Sequence, residues 1–455
     1  MSRDRLASRL GFILLSAGCA IGIGHVWKFP WMVGQYGGAI FVLIYLVCLV
    51  VLGIPVMTME FAVGRAAQRS PAVMFRELEP PKSKWHFLGI TCLAGSVTLM
   101  MFYNNVAGWM MNYFFKTATG KFEGLDTESV NAEFGNMLGD PVWQTVFMAA
   151  AVIIGIAVCM LGVQKGLERV TKVMMVALLV LMVVIAVNSI FLEGASEGLK
   201  FYLVPNVENV RKAGIFNVIV AAMNQAFFTL SLGIGSMAIF GSYLGKDRAL
   251  MGEAVNVAVL DTFVAFTSGL IIFPACFAYG INPDAGPALI FQTLPTVFNN
   301  MPLGRLWGSL FFVFMSFAAL STVLAVFENI IACVMDLTGW KRIKTCIVVG
   351  IGMLLLSLPC VFGYNIWSGF APFGEGTAIL ALEDFVVSNL LLPIGALIFT
   401  LFCVTRCGWG WKNFMAEANT GKGLKVRSWM RWVFTIAIPA IIIIIFVMGL
   451  VSFFS

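Results

Sequence analysis

The sequence predicts an all-α membrane protein, arranged as two five-span repeats plus one additional helix. Three observations predict it: the composition, a regular succession of apolar runs, and two glycine interruptions at matched places in the two halves. Of the 455 residues, 60% are hydrophobic and only 11% charged, with a mean hydropathy of +0.92. A soluble domain of this size needs more charged surface, so the chain belongs in a bilayer.

Apolar runs long enough to cross a membrane fall at about 9–33, 37–65, 86–116, 142–161, 166–192, 214–243, 248–280, 303–339, 343–362, 377–405 and 428–452. The first leaves through Lys28-Phe29-Pro30 with no small-residue cleavage site behind it, so it is expected to stay as a span. The piece Asn282–Pro302 carries Pro283, Pro287, Pro295 and Pro302 and cannot span; a hairpin dipping over an outward vestibule is expected there. The acidic stretch Thr117–Asp140 reads as a solvated outer loop. The expected division is 1–192 for the first repeat, 193–405 for the second, and 406–455 for a cytoplasmic loop and the last span.

Orientation follows from Lys and Arg, which concentrate on the cytoplasmic side of membrane proteins. With the N-terminus inside, only Lys116, Lys121, Lys200, Arg211, Lys212 and Arg305 of the 29 Lys and Arg fall outside. Eleven spans then leave the C-terminus extracellular, in a cell (inner) membrane. The net charge of +6 is mostly topology and implies no nucleic-acid partner; membrane lipids and a small solute are the expected partners. The ten Cys form no Cys-x-x-Cys pair and read as apolar packing residues.

The informative feature is Ile21-Gly22-Ile23-Gly24 in the first run and Leu232-Gly233-Ile234-Gly235 in the sixth. Gly costs about 1 kcal/mol in a helix interior relative to Ala. Two such breaks, at the first span of each repeat, suggest discontinuous helices around a midplane substrate site. An odd number of spans per repeat inverts the second repeat relative to the first. Unwound backbone frees amides that favour an anion and carbonyls that favour a cation. A zwitterionic amino acid fits both.

The eighth span places Ala318, Ser321 and Thr322 on one helix face, a hard-oxygen cluster suited to Na⁺. Ionisable residues within spans each cost about 2.5–3.5 kcal/mol on insertion scales, which marks them as functional candidates. They are His25, Lys28, Glu60, Asp261 and Asp384, with Glu328 and Glu383 as further anchors.

The run Ser8-Arg9-Leu10-Gly11-Phe12, then Ala17-Gly18-Cys19-Ala20-Ile21-Gly22-Ile23-Gly24 and Trp27-Lys28-Phe29-Pro30, resembles the first helix of the neurotransmitter:sodium symporter family. Gly53-Ile54-Pro55 with Glu60-Phe61 and Gly64-Arg65, Phe227-Phe228-Thr229-Leu230-Ser231-Leu232-Gly233, Phe102-Tyr103 with Gly108-Trp109, and Asp384-Phe385 with Ser388-Asn389 extend the likeness over the whole chain. Eleven spans resemble its bacterial amino-acid branch. The resemblance implies the LeuT fold and sodium-driven alternating access rather than an enzyme or a channel.

Carried over residue by residue, the resemblance puts the substrate carboxylate on the amides of Ile23 and Gly24, beside Gly22, and on the Tyr103 hydroxyl. The ammonium group meets carbonyls of Ala20, Phe228 and Thr229 and the Ser231 hydroxyl. Ile23, Leu99, Tyr103, Phe228, Ile234, Thr322 and Val326 line the side-chain pocket, which favours apolar or aromatic substrates. The second sodium site takes carbonyls of Gly18, Ile21 and Ala318 and the hydroxyls of Ser321 and Thr322. The outer gate pairs Lys28 with Asp384; the inner gate pairs Arg3 with Asp336 near Tyr243.

The first sodium site departs from the family pattern. Its ligands map to Ala20, His25, Thr229 and Asp261, together with the substrate carboxylate, where positions 25 and 261 are usually Asn. In chloride-dependent relatives Tyr45, Gln225, Thr229 and a serine matching Ala265 hold the anion. With Ala265 lacking a hydroxyl and Asp261 supplying negative charge, no chloride requirement is expected. Three readings of His25 stand open: it turns away from a site built on Asp261, it removes that site and leaves one sodium, or it exchanges protons with Asp261.

Overall fold

A computed structural model describes residues 6–280, 289–374 and 377–454. Among the described residues, nine uninterrupted helical segments are long and apolar enough to cross a membrane: Ala39–Ala67, Trp85–Ala118, Pro141–Met160, Val163–Ile190, Leu250–Ala278, Gly304–Thr338, Arg342–Phe362, Ile379–Val404 and Ser428–Val451. The first span is a bent pair, Arg9–Ala20 and Ile23–Gln35, at 60° to each other. The sixth is the helix Ile215–Thr229 followed, after an irregular stretch, by Ser236–Gly241. Together these make the expected eleven crossings, with breaks in the first and sixth.

Local chemistry sets the ends. Ser8 caps the first span by accepting the Gly11 amide at 3.0 Å, and Asp140 caps the fourth through Val142 and Trp143 with Pro141 opening the helix. The second and tenth spans each contain a π-helical turn, Leu49–Gly53 and Val386–Leu391. Each turn runs into a proline, Pro55 or Pro393, which has no amide to continue the ladder.

The eighth span is the centre of the bundle. Its apolar window is 78% buried, against 33% for the fifth and eleventh spans. The fifth therefore turns Val173, Val176 and Val180 outward, all more than half exposed, as a lipid-facing surface. The third span packs along the eighth, and the first crosses the eighth near its middle.

Two outer segments refine the expectations. Part of Asn282–Pro302 lies outside the described residues; its remainder forms Leu289–Thr293 and Leu294–Asn300. From it, buried Phe291 stacks on Phe134 at 4.8 Å and meets Tyr113, Trp109 and Trp27 edge-on. That aromatic cluster plugs the outer end of the bundle. The acidic loop is more ordered than the sequence suggests, because Thr127–Gly139 is a helix. Glu133 ties it down to Lys116 at 2.9 Å and Lys121 at 3.1 Å.

Two predictions follow from these contacts. Gly233 has φ +96°, and a Cβ there would fall directly on the carbonyl of Leu392 in the tenth span. Gly233→Ala therefore strains both the backbone and the packing, at a cost of about 2 kcal/mol or more, read as a lowered melting temperature in detergent. Burial alone would raise the Glu133 carboxyl, but hydrogen bonds and charge from Lys116 and Lys121 outweigh it and hold the group below its ordinary value. A depressed folded value means the docking contribution is complete above the unfolded carboxylate range and fades as pH falls through the folded value. Hydrogen exchange in Thr127–Gly139 should rise on acidification and stay flat from neutral pH upward.

Candidate functional site

The two breaks face each other at the middle of the bundle. The first span stops at Ala20 and restarts at Ile23, leaving the amides of Ile23 and Gly24 at the head of a new helix without acceptors in their own turn. Tyr103 of the third span meets this point, its hydroxyl accepting the Ile23 amide at 3.0 Å. Close approach explains the glycines. A Cβ on Gly22 would sit 2.6 Å from the Tyr103 hydroxyl and 2.9 Å from that of Thr322, and one on Gly24 would sit 2.6 Å from the Phe228 ring.

The second break, Leu230–Gly235, is held open by its neighbours. Glu60 of the second span accepts the Gly233 amide at 2.6 Å. Asn329 of the eighth span and Ser96 of the third donate to the Ile234 carbonyl at 3.1 and 3.4 Å. Ser231, in a left-handed conformation at φ +50°, bridges the breaks by donating to the Cys19 carbonyl at 3.3 Å.

Between them lies a cavity of about 30 Å³, space for roughly one water. Of the expected substrate residues, Ala20, Gly22, Gly24, Leu99, Tyr103, Phe228, Thr229, Ser231, Ile234 and Thr322 line it. Ile23 and Val326 are buried behind this lining rather than part of it. Cys19, His25, Val387 and Leu392 complete the wall. Sequence reading missed Val387 and Leu392, which come from the π-helical turn of the tenth span and its exit; Pro393 is the one local signal of that irregularity.

Two oxygen-rich clusters flank the cavity. In one, the Thr322 hydroxyl lies 3.3 Å from the Gly18 carbonyl and 3.5 Å from those of Cys19 and Ala318, while the Ser321 hydroxyl donates to Ala318 at 2.9 Å. Gly18, Ala318, Ser321 and Thr322 are four of the five residues expected at the second sodium site; the Cys19 carbonyl is not among them, and Ile21, the fifth, follows the end of the first half-helix. In the other, Asp261 Oδ2 accepts the Tyr45 hydroxyl at 3.3 Å, which itself lies 3.2 Å from the Thr229 hydroxyl. His25 does not turn away: its Nε2 stands 2.7 Å from Asp261 Oδ1, with both side chains fully buried. Ala265 is buried in the same span one turn on.

The gates differ from the simple pairing expected. Lys28 and Asp384 form no ion pair within 4 Å in this conformation. Lys28 Nζ instead stands 4.1 Å over the Phe228 ring, a cation–π contact, and Asp384 accepts the Ser388 hydroxyl at 2.7 Å. On the inner side Arg3 lies outside the described residues. Asp336 accepts the Ser70 amide at 2.7 Å. Tyr243 donates to Glu328 at 2.6 Å, and Glu328 also pairs with Arg342. The start of the first span is latched more elaborately than expected: Glu168 takes the Ala7 amide at 2.7 Å and the Ser8 hydroxyl at 2.8 Å, and Arg9 pairs with Glu253 at 2.9 Å.

A bundle with two broken helices around a small central cavity is the architecture expected of a secondary transporter. The profile of the sodium:neurotransmitter symporter family matches residues 3–131 and 128–455, and the chain belongs to that family. A sodium-dependent transporter of Bacillus subtilis is 35% identical, with 98% of both chains covered. One of Haemophilus influenzae is 29% identical, again over 98% of each. Among solved structures, the crystal structure of MhsT in complex with L-phenylalanine is similar with a TM-score of 0.87 and 36% identity, over 98% of this chain and all of that one. The protein is thus a sodium-dependent transporter with the LeuT fold, not an enzyme.

The latch yields a prediction with a built-in reporter. Cys19 lines the central cavity and is fully buried. Glu168→Gln weakens two hydrogen bonds to a charged group, each worth about 1.5–3 kcal/mol, and should speed alkylation of Cys19 by on the order of tenfold or more. Peptide mapping by mass spectrometry after timed labelling reads this.

Proposed function

We propose that this chain imports amino acids with apolar or aromatic side chains, driven by sodium and without chloride. The observation that carries the reading is the division of the central cavity. One side offers the Gly22 and Gly24 backbone and the Tyr103 hydroxyl, with the Ile23 amide held just behind it, and the other offers Leu99, Phe228, Ile234, Val387 and Leu392. The polar side suits a carboxylate and the apolar side suits a hydrocarbon or ring. The similar transporter MhsT holds L-phenylalanine, which agrees with such a pocket. The ammonium group would take the Ala20, Phe228 and Thr229 carbonyls and the Ser231 hydroxyl.

A cavity of about 30 Å³ is too small for any amino acid, so loading requires the first and sixth spans to move. In the proposed cycle the first, second, sixth and seventh spans rock against the third, fourth, eighth and ninth. The plug around Phe291 opens outward and the latch at Glu168 opens inward. The N-terminus lies in the cytoplasm, at the plasma membrane. Sodium entering with the Thr322 cluster would draw the first span onto the eighth, because its ligands come from both. One charge falling through 100 mV supplies about 2.3 kcal/mol and a tenfold sodium gradient about 1.4. One ion per cycle therefore sustains roughly a 500-fold substrate gradient. Chloride independence rests on Asp261 providing the charge, with Ala265 offering no hydroxyl to an anion.

The twenty amino acids, tested for thermal stabilisation of the purified protein in sodium against potassium, check this reading. Apolar and aromatic members should stabilise in sodium only, and uptake should survive replacement of chloride by gluconate. Stabilisation by charged amino acids alone would sink it. Tyr103→Phe should weaken amino-acid binding by about 10- to 100-fold, the loss of one hydrogen bond to a carboxylate, while sodium binding is kept.

A further inference from the structure

We propose that the His25 imidazole permanently fills the first cation position, so that this transporter binds and moves a single sodium ion, at the Gly18–Ala318–Ser321–Thr322 cluster. The proposal rests on the sodium-coupled reading of the site but not on which amino acid is carried.

Oxygen geometry separates the two clusters. A cation next to Asp261 would need the Oδ1 oxygen, and His25 Nε2 already stands 2.7 Å from it. Asp261 Oδ2 is taken by Tyr45, and the Thr229 hydroxyl donates to the Gln225 carbonyl at 3.0 Å. Those bonds leave Asp261 Oδ1 as the oxygen that would face an ion, and the imidazole nitrogen stands against it. A small hard cation prefers an all-oxygen shell. Imidazole offers it nothing comparable as a neutral ring and repels it as a charged one, so the exclusion holds in either form.

The backbone that carries the ring is held on both sides. His25 is fully buried. Its amide donates to the Gly22 carbonyl at 3.2 Å, and its carbonyl accepts the Ser268 hydroxyl of the seventh span at 2.7 Å. Turning the imidazole out of the site would take the nitrogen at 2.7 Å away from Asp261 Oδ1 in a dry interior, where an uncompensated carboxylate is costly. By contrast, the Thr322 cluster contains only carbonyl and hydroxyl oxygens and joins the first span to the eighth.

Counting bound ²²Na⁺ on the purified full-length protein tests this without an amino acid. Wild type should hold one ion per chain with a Hill slope near one. His25→Asn, which restores an oxygen beside Asp261, should hold two, with a slope approaching two. Thr322→Val in the wild-type background should abolish sodium binding. Two ions on wild type, one ion remaining on Thr322→Val, or a folded His25→Asn still holding one would each overturn the proposal. Should His25→Asn fail to fold, His25→Gln supplies the same oxygen and the same expectation. A single sodium on a protein that no apolar amino acid stabilises would remove the proposed substrate class and leave this inference standing.

Discussion

Backbone opened in the middle of a bilayer has no water to bond with, and that constraint organises this molecule. The sixth span can unwind at Leu230–Gly235 because a buried carboxylate, Glu60, takes the Gly233 amide, while Asn329 and Ser96 satisfy the Ile234 carbonyl. The first span can unwind because Tyr103 takes the Ile23 amide. Each support reaches in from a neighbouring span. The polar residues that look expensive by insertion energy are thus the ones that make the site affordable.

The same supports link the site to its gates. Ser231 ties one break to the other through the Cys19 carbonyl, and Thr322 ties the first break to the eighth span through the Gly18 carbonyl. A shift of the first span therefore changes the cavity wall and the oxygen cluster together. At the cytoplasmic end the same span is latched by Glu168 and Glu253, and at the outer end Trp27 meets the Phe291 plug. In the proposed cycle, ion, solute and both exits act on one bent helix.

Much of this was legible in the sequence because membranes impose coarse rules. Length and hydropathy mark the spans, and paired Gly-x-Gly motifs mark where they break. Ten of twelve expected pocket residues line the cavity, since their positions follow from the breaks themselves. The misses have physical causes. Val387 and Leu392 enter through a π-helical register shift that periodicity cannot register. Val326 is fully buried and does not reach the cavity. Lys28 lies over Phe228 rather than beside Asp384, since which partner a long flexible cation takes depends on the state of the gate. The Glu133 helix was hidden by its acidic composition, whose partners Lys116 and Lys121 lie before it in the chain.

Under the single-sodium proposal, the pair of His25 and Asp261 changes the coupling of the site. A buried carboxylate needs a counter-group in every state of the cycle. Where that group is a diffusible ion, its departure to the cytoplasm leaves the seventh span unbalanced, and the imbalance reports the inner sodium concentration. Where it is a tethered imidazole, as proposed, Asp261 keeps the same neighbour throughout the cycle and the seventh span reports nothing. Sodium sensing then falls entirely to the junction of Gly18 with Thr322, between the moving first span and the buried eighth. The exchange lowers the accumulation limit from the square of roughly 500-fold to roughly 500-fold itself. In return, loading requires one ion rather than two, a gain where external sodium is scarce.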